Sequence, residues 1–174
     1  MTPRPPNPPK PDAARALARR PTGALVSALA MLLGACSIGM PVPRLAPPAD
    51  GSAGESVVLV LTRVVVDAAR RDEFDRQTRR VLSSMDTHAG LLGYAARREL
   101  FGNQGWTMSV WASDEARAAF VRSAVHSEAI AKSVPALATV ELKRLTVARK
   151  DLPGDWDTVL RMLADPEGLR RYWE

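Results

Sequence analysis

The chain is poor in the side chains that most often carry metal or disulfide chemistry. It has one cysteine, Cys36, and two histidines, His88 and His126. A single cysteine excludes an intramolecular disulfide. Neither histidine lies near Asp, Glu or Cys at the spacing of a metal site, so the sequence predicts no metal and no cofactor. The chain also lacks a glycine-rich phosphate loop, a Gly-x-Ser-x-Gly elbow and a dinucleotide fingerprint, which argues against the enzyme classes built on them.

The chain also has little excess charge outside its first 35 residues, although its pI near 10.0 would suit a nucleic-acid-binding protein. Residues 1–35 hold five of the 24 Lys and Arg residues but only one acid, Asp12, which leaves 19 basic and 18 acidic residues in the rest. A nucleic-acid partner requires a basic excess on the folded domain. We therefore predict no nucleic-acid partner.

The first 35 residues have the three parts of an export signal. Three arginines precede an uncharged apolar run at 23–33, and the small residues Gly34 and Ala35 follow it. An apolar run of 11 residues is too short for a permanent transmembrane helix, which needs about 20 residues. Residues 1–35 are therefore predicted to be a cleaved leader.

The run Leu33-Gly34-Ala35-Cys36 resembles the lipobox of bacterial lipoproteins. The resemblance implies that the Cys36 thiol receives a diacylglycerol and that the leader is cut before it. The alternative is that Cys36 is an ordinary small residue in a membrane anchor. Lipidation is favoured because a lone free thiol is a liability in an oxidising compartment. The residue after Cys36 is Ser37 and not Asp. This resembles the pattern of lipoproteins that are sorted to the outer membrane, where they face the periplasm.

The rest of the chain divides by composition into a tether, a domain and a tail. Residues 36–56 are rich in Pro, Gly, Ser and Ala and are predicted to be a tether. Residues 57–150 contain the periodic patterns of a folded domain. Residues 151–174 form a C-terminal tail with the apolar spacing of a short helix at Trp156, Val159, Leu160 and Leu163.

The domain is predicted to contain a strand, a helix, two strands, a helix and a last strand. The predicted strands are 57–66, 92–101, 106–111 and 139–148. The first helix follows Asp67 and has an apolar stripe at Phe74, Thr78, Val81, Leu82 and Met85. The second begins at the N-cap Ser113, runs to about Pro135, and has a stripe at Ala116, Phe120, Ser123, Ser127, Ile130 and Val134. This order predicts an α+β, ferredoxin-like βαββαβ sandwich.

The predicted strands are apolar on both faces, while the two helices cover only one face of the sheet. An uncovered apolar face is an interaction surface. We therefore expect a homodimer that packs sheet to sheet. The alternative is that the C-terminal tail covers this face.

The stretch Met108–Ala116, continuing through Phe120 to His126, resembles the third strand and second helix of antibiotic-biosynthesis-monooxygenase-like domains. Its spacing also resembles that of the spheroidene-monooxygenase-like group. The run 89–93 resembles the Pro-Gly-Leu-Leu-Gly turn of these domains, with Ala89 in place of Pro. The resemblance covers about residues 57–150 and implies a dimeric α+β barrel.

The resemblance also implies a chemistry. Some members of the family oxidise electron-rich aromatic substrates with molecular oxygen and no metal or flavin, others bind and degrade haem, and many have no established activity. A cofactor-free mechanism needs a base with a pKa near neutral, and histidine is the usual choice. His126 is then the candidate base and Trp111 the candidate pocket wall. The alternative is a structural His126 and a Trp111 that only packs. His88, beside Ala89 and Gly90 at the end of the first helix, is predicted to be an exposed helix-end cation.

Two functions are therefore carried forward. The first is a monooxygenase-like enzyme that acts on a small apolar or aromatic molecule. The second is a non-catalytic envelope domain that binds a ligand or a protein. The enzyme should have an enclosed apolar pocket that reaches His126, whereas a binding module need not.

Overall fold

The structure is a computed structural model that describes residues 37–45 and 55–172. The predicted leader and the lipidation site Cys36 lie outside these residues. Within the described part of the chain, no helix is long and apolar enough to cross a membrane.

A six-stranded antiparallel sheet forms the centre of the domain. Its strands are β1 (Ser37–Gly39), β2 (Ser56–Val66), β3 (Leu91–Glu99), β4 (Gln104–Trp111), β5 (Leu137–Ala148) and β6 (Leu169–Tyr172), in the spatial order β1-β3-β4-β2-β5-β6. The inner four strands match the predicted strands within a few residues. Their order, with the helices between them, confirms the predicted α+β ferredoxin-like fold.

Three helices, α1 (Arg71–Leu82), α2 (Asp114–Arg122) and α3 (Ala124–Ser133), follow β2 and β4 in the chain. On this side of the sheet the buried core consists of Val58, Met85, Trp111 and Phe120. Val81 and Leu82, from the predicted stripe of the first helix, pack against that core. The last three residues of the predicted stripe, Val81, Leu82 and Met85, therefore face the sheet as predicted.

The second predicted helix is divided in two at Ser123, which has an extended backbone with φ −61° and ψ 149°. The Ser123 side chain caps the new helix by accepting a hydrogen bond from the His126 backbone N–H. The break changes the direction that later residues face. Ala129 and Ser133 are buried, whereas Ile130 is 43% exposed, so the predicted stripe is wrong beyond this point.

The second face of the sheet is covered by the chain itself. Helix α4 (Trp156–Ala164) packs Val159 and Leu163 against Leu59, Leu61 and other apolar residues of the inner strands. Val159 is fully buried and Leu163 is 5% exposed. The expectation that this face has no cover is therefore wrong, and the alternative in which the tail covers it is the one observed. The predicted homodimer is untested, but this face is not free for it.

A buried lysine fixes the end of α4 to the sheet. The Lys143 ammonium on β5 donates to the main-chain oxygens of Met162 and Asp165, at 2.9 and 3.1 Å, and to the Asp165 carboxylate at 3.1 Å. The last carbonyls of a helix have no partner within it and carry partial negative charge. Lys143, only 3% exposed, supplies both a donor and a positive charge there.

The two edge strands come from segments outside the predicted domain. Strand β1 lies in the predicted tether, and the nearby Val42 belongs to the core beneath α4. Gly39 permits this pairing, because a Cβ there would lie 2.5 Å from the Ala96 carbonyl oxygen. Strand β6 lies in the predicted tail and pairs with β5. Such short strands have no periodic pattern by which sequence could predict them.

Candidate functional site

Trp111, the candidate pocket wall, is the last residue of β4 and is fully buried. Its indole stacks on the Phe120 ring with the centroids 5.1 Å apart, and its Nε1–H donates to the Ser109 hydroxyl at 3.0 Å. A buried indole needs such a partner for its N–H. Trp111 thus forms the floor of an aromatic cluster and has no surface open to solvent.

His126, the candidate base, lies in the first turn of α3 and is partly buried. Its ring meets Phe120 edge to face, with the centroids 4.6 Å apart. Its Nδ1 lies 3.2 Å from the Val121 carbonyl oxygen. Because a carbonyl can only accept, this contact assigns the proton of the neutral ring to Nδ1 and leaves Nε2 as the proton acceptor.

The surroundings of His126 favour this neutral form. Burial lowers the pKa of His126 below its ordinary value of 6.5, and the nearby His88 lowers it further. The hydrogen bond to Val121 acts in the opposite direction but does not outweigh burial. At neutral pH the ring is therefore available to accept a proton, as a general base requires.

His88 belongs to the same cluster, which the sequence did not predict. Its ring meets Phe120 edge to face, with the centroids 4.9 Å apart. The residue is partly buried, and its Nε2 is buried without a hydrogen-bond partner among the described residues. The prediction of an exposed helix-end residue is therefore wrong. Gly90, at φ +78°, turns the chain back, and any Cβ there would come within 2.5 Å of the Ala116 Cβ.

An open groove of about 300 Å³ adjoins His88, close to the lower end of the usual size range of ligand sites. Three of its lining side chains, Asp86, His88 and Tyr94, can form hydrogen bonds. The other lining residues are Pro43, Leu91, Leu92 and Gly93. His126 does not line this groove, so the groove is not the enclosed pocket reaching His126 that the enzyme hypothesis predicts. Phe120 contacts both histidines: His88, which lines the groove, and His126, which does not.

A second groove, of about 330 Å³, lies near one end of β5 and is lined by charged side chains. Its centre is Glu141, 8% exposed, whose carboxylate pairs with Arg63 at 3.2 Å and with Arg171 at 2.8 Å. These contacts join β2, β5 and β6. The groove therefore has an ion-pair network around one buried carboxylate that links the edge strand to the sheet, and neither predicted site residue lies in it.

Three site residues were missed from the sequence: His88, Phe120 and Tyr94. Phe120 was assigned only to an apolar stripe, and Tyr94 had no role. The alternation of β3 could have placed Tyr94 on the helix side of the sheet, but the common contact of both histidines with Phe120 depends on tertiary packing. Among the described residues, no group of three or more His, Cys, Asp and Glu is arranged to hold a metal.

Comparisons with known proteins agree with this fold. Residues 57–132 match the family model described as antibiotic biosynthesis monooxygenase. No curated protein is significantly similar to the chain. The matched residues include Trp111 and His126 but exclude β1, β5, α4 and β6.

Two solved structures share the fold at low identity. A presumed monooxygenase from Lactobacillus acidophilus has a TM-score of 0.50 and 21% identity, over 56% of this chain and 47% of that chain. A presumed antibiotic biosynthesis monooxygenase from Bacteroides thetaiotaomicron has a TM-score of 0.50 and 19% identity, over 56% of this chain and 92% of that chain. This chain thus spans about half the length of the Lactobacillus protein. These likenesses show the fold of the domain.

Proposed function

We propose that the protein is a lipid-anchored envelope protein whose domain oxidises a small, electron-rich aromatic molecule with molecular oxygen, without a resident metal or flavin. The observation that carries this proposal is the position of the His126 ring. It is partly buried, its Nδ1 lies 3.2 Å from the Val121 carbonyl oxygen, and it lies against Phe120, which also contacts the histidine at the groove.

In the proposed reaction, Nε2 of His126 removes the phenolic proton of the substrate. The resulting anion is electron-rich enough to reduce oxygen at a ring carbon. That carbon loses its C–H bond and gains a C=O bond, so that the phenol becomes a quinone. One oxygen atom of O₂ enters the product and the other leaves as water, so no additional reductant is needed.

The groove beside His88 is the proposed entrance for the substrate. Leu91 and Leu92 offer apolar contact, and Tyr94 offers a hydroxyl that can orient a phenol. Phe120 contacts both His88, at this groove, and His126. A rotation of the Phe120 ring would open a path to Nε2, while Trp111 would remain as the floor beneath the substrate.

The remaining parts of the proposal concern relatives and location. The spacing from Trp111 to His126 supports a relationship between this domain and the spheroidene-monooxygenase-like group. The lipobox ending at Cys36 supports lipidation, and Ser37 after it supports the outer membrane, facing the periplasm. The substrate would then be a molecule that reaches the periplasm.

Oxygen consumption with a panel of quinols and phenols tests the enzyme. We expect His126→Ala to lower kcat/KM by about 100-fold or more while the protein remains folded, the usual contribution of a general base. If His126 is only structural, the same change should lower stability by about 1–2 kcal/mol and leave the activity of the folded fraction unchanged.

Thermal melting of the same samples separates the two outcomes. Phe120→Leu, which keeps an apolar side chain, should change KM more than kcat if Phe120 controls access. A wild-type protein that oxidises no member of the panel would contradict the enzyme and favour a non-catalytic domain that binds a ligand or a protein.

A further inference from the structure

One corner of the sheet exposes large apolar side chains. Among the described residues, seven large hydrophobic side chains are exposed, and four of them lie on β1, just after it or at the β3–β4 connection. These four are Ile38, Met40, Leu100 and Phe101, with exposures of 48, 37, 39 and 67%. We refer to these four residues as the apolar corner. Scattered single exposures are ordinary on a protein surface, but a cluster of this kind indicates an interaction surface.

The exposure does not come from a loosely held loop. Arg71, at the start of α1, donates to the main-chain oxygens of Glu99 and Gly102 on either side of the Leu100–Phe101 pair. The Glu99 carboxylate in turn accepts from the Gln104 backbone N–H at 3.1 Å. The connection is therefore fixed at both ends while it exposes an aromatic ring.

Strand β1 is held to the sheet as firmly. Ser37 pairs with Glu99, and Ile38 pairs with Arg98. The Met40 N–H donates to the Ala96 carbonyl at 2.8 Å. On the other side, the Met40 carbonyl accepts from the Trp156 indole N–H at 2.8 Å, which ties the segment to α4.

The position of this corner in the chain indicates what covers it. Cys36 is bonded directly to Ser37, the first residue of β1. Ser37 is opposite Glu99, the residue directly before Leu100 and Phe101. A lipid on Cys36 would therefore begin within one residue of the folded sheet, with no spacer between the acyl chains and the apolar corner.

We propose that the apolar corner docks on the bilayer that holds the acyl chains of Cys36, so that this edge of the sheet rests on the membrane surface. This inference rests on the lipidation given under the proposed function. Aromatic and aliphatic side chains next to a lipid anchor add apolar contact at the interface and orient the domain on it.

The test uses the full lipidated chain in vesicles of phosphatidylethanolamine and phosphatidylglycerol, some of which carry nitroxide-labelled acyl chains. Because Cys36 is the only cysteine, Phe101→Cys adds a single free thiol for an environment-sensitive fluorophore. Val121→Cys is the matched control, since Val121 is also apolar and exposed, at 40%, but lies on α2 outside the corner.

We expect the nitroxide lipids to quench the label at position 101 several-fold more than the label at position 121. Equal quenching at both positions, or none at 101 in protein shown to be lipidated, would overturn the docking. So would a change at 101 that depends on protein concentration without vesicles, because a second copy would then cover the corner. A reactive thiol on the mature chain before any substitution would instead refute the lipidation itself.

Discussion

Replacement of Lys143 by alanine should detach the end of α4 from the sheet. The change removes three hydrogen bonds from a side chain that is 3% exposed. It also removes three buried methylene groups, each worth about 0.8 kcal/mol, and leaves the carbonyl of Met162 without its donor. Part of this loss is offset because the ammonium no longer has to be desolvated. We expect the free energy of unfolding to fall by about 3 kcal/mol.

Two further variants separate charge from packing. Lys143→Met keeps most of the apolar length, so it should cost about 1–2 kcal/mol, chiefly from the unpaired helix carbonyls. Arg144→Ala is the control. Arg144 is the next residue along β5, but its side chain is 45% exposed and pairs with Asp114 in solvent, where ion pairs contribute little. Urea unfolding monitored by circular dichroism gives the free energy of unfolding of all three variants. A Lys143→Ala protein within about 0.5 kcal/mol of the Arg144→Ala protein would refute the argument.

Three other predictions follow from the fold and the proposed anchor. Removal of residues 155–174 should expose the apolar face, so light scattering should show a larger species than the intact domain forms; an unchanged size would contradict this, and a dimer of the intact domain would show that another surface associates. Because the pKa of His126 is lowered in the folded protein, the unfolded protein takes up a proton on this ring first as the pH falls below about 6.5. The stability of the fold should therefore decrease below that pH, and His126→Asn should remove this contribution when thermal melting is measured at a series of pH values. Cys36→Ser should abolish labelling by a radioactive fatty acid; equal labelling of both proteins would contradict lipidation.

Local patterns in the sequence were sufficient to predict the inner part of the fold. Alternation and β-branched runs located the four central strands, and the 3.6-residue period located α1, because these signals depend on neighbouring residues. The break at Ser123 was missed because a serine is compatible with both a helix interior and an N-cap. The cover of the second face by α4 was left open because an amphipathic helix does not specify which surface it covers.

The candidate site was only partly predictable. Trp111 and His126 were identified from a family resemblance, and the structure places both against Phe120. His88 joins them only because the turn ending at Gly90 brings β3 close to α2, which is a tertiary contact. The groove is formed partly by Pro43, from a segment with no apolar periodicity, so no sequence pattern predicts it.

The most direct measurement of the proposed chemistry is the incorporation of oxygen-18 from labelled O₂ into a phenolic substrate, followed by mass spectrometry of the quinone. The proposal predicts one labelled oxygen atom per product molecule with the wild-type protein and a loss of about 100-fold or more in the rate with His126→Ala. A product that contains no label from O₂, or a rate that is unchanged in the folded His126→Ala protein, would contradict a monooxygenase that uses His126 as its base.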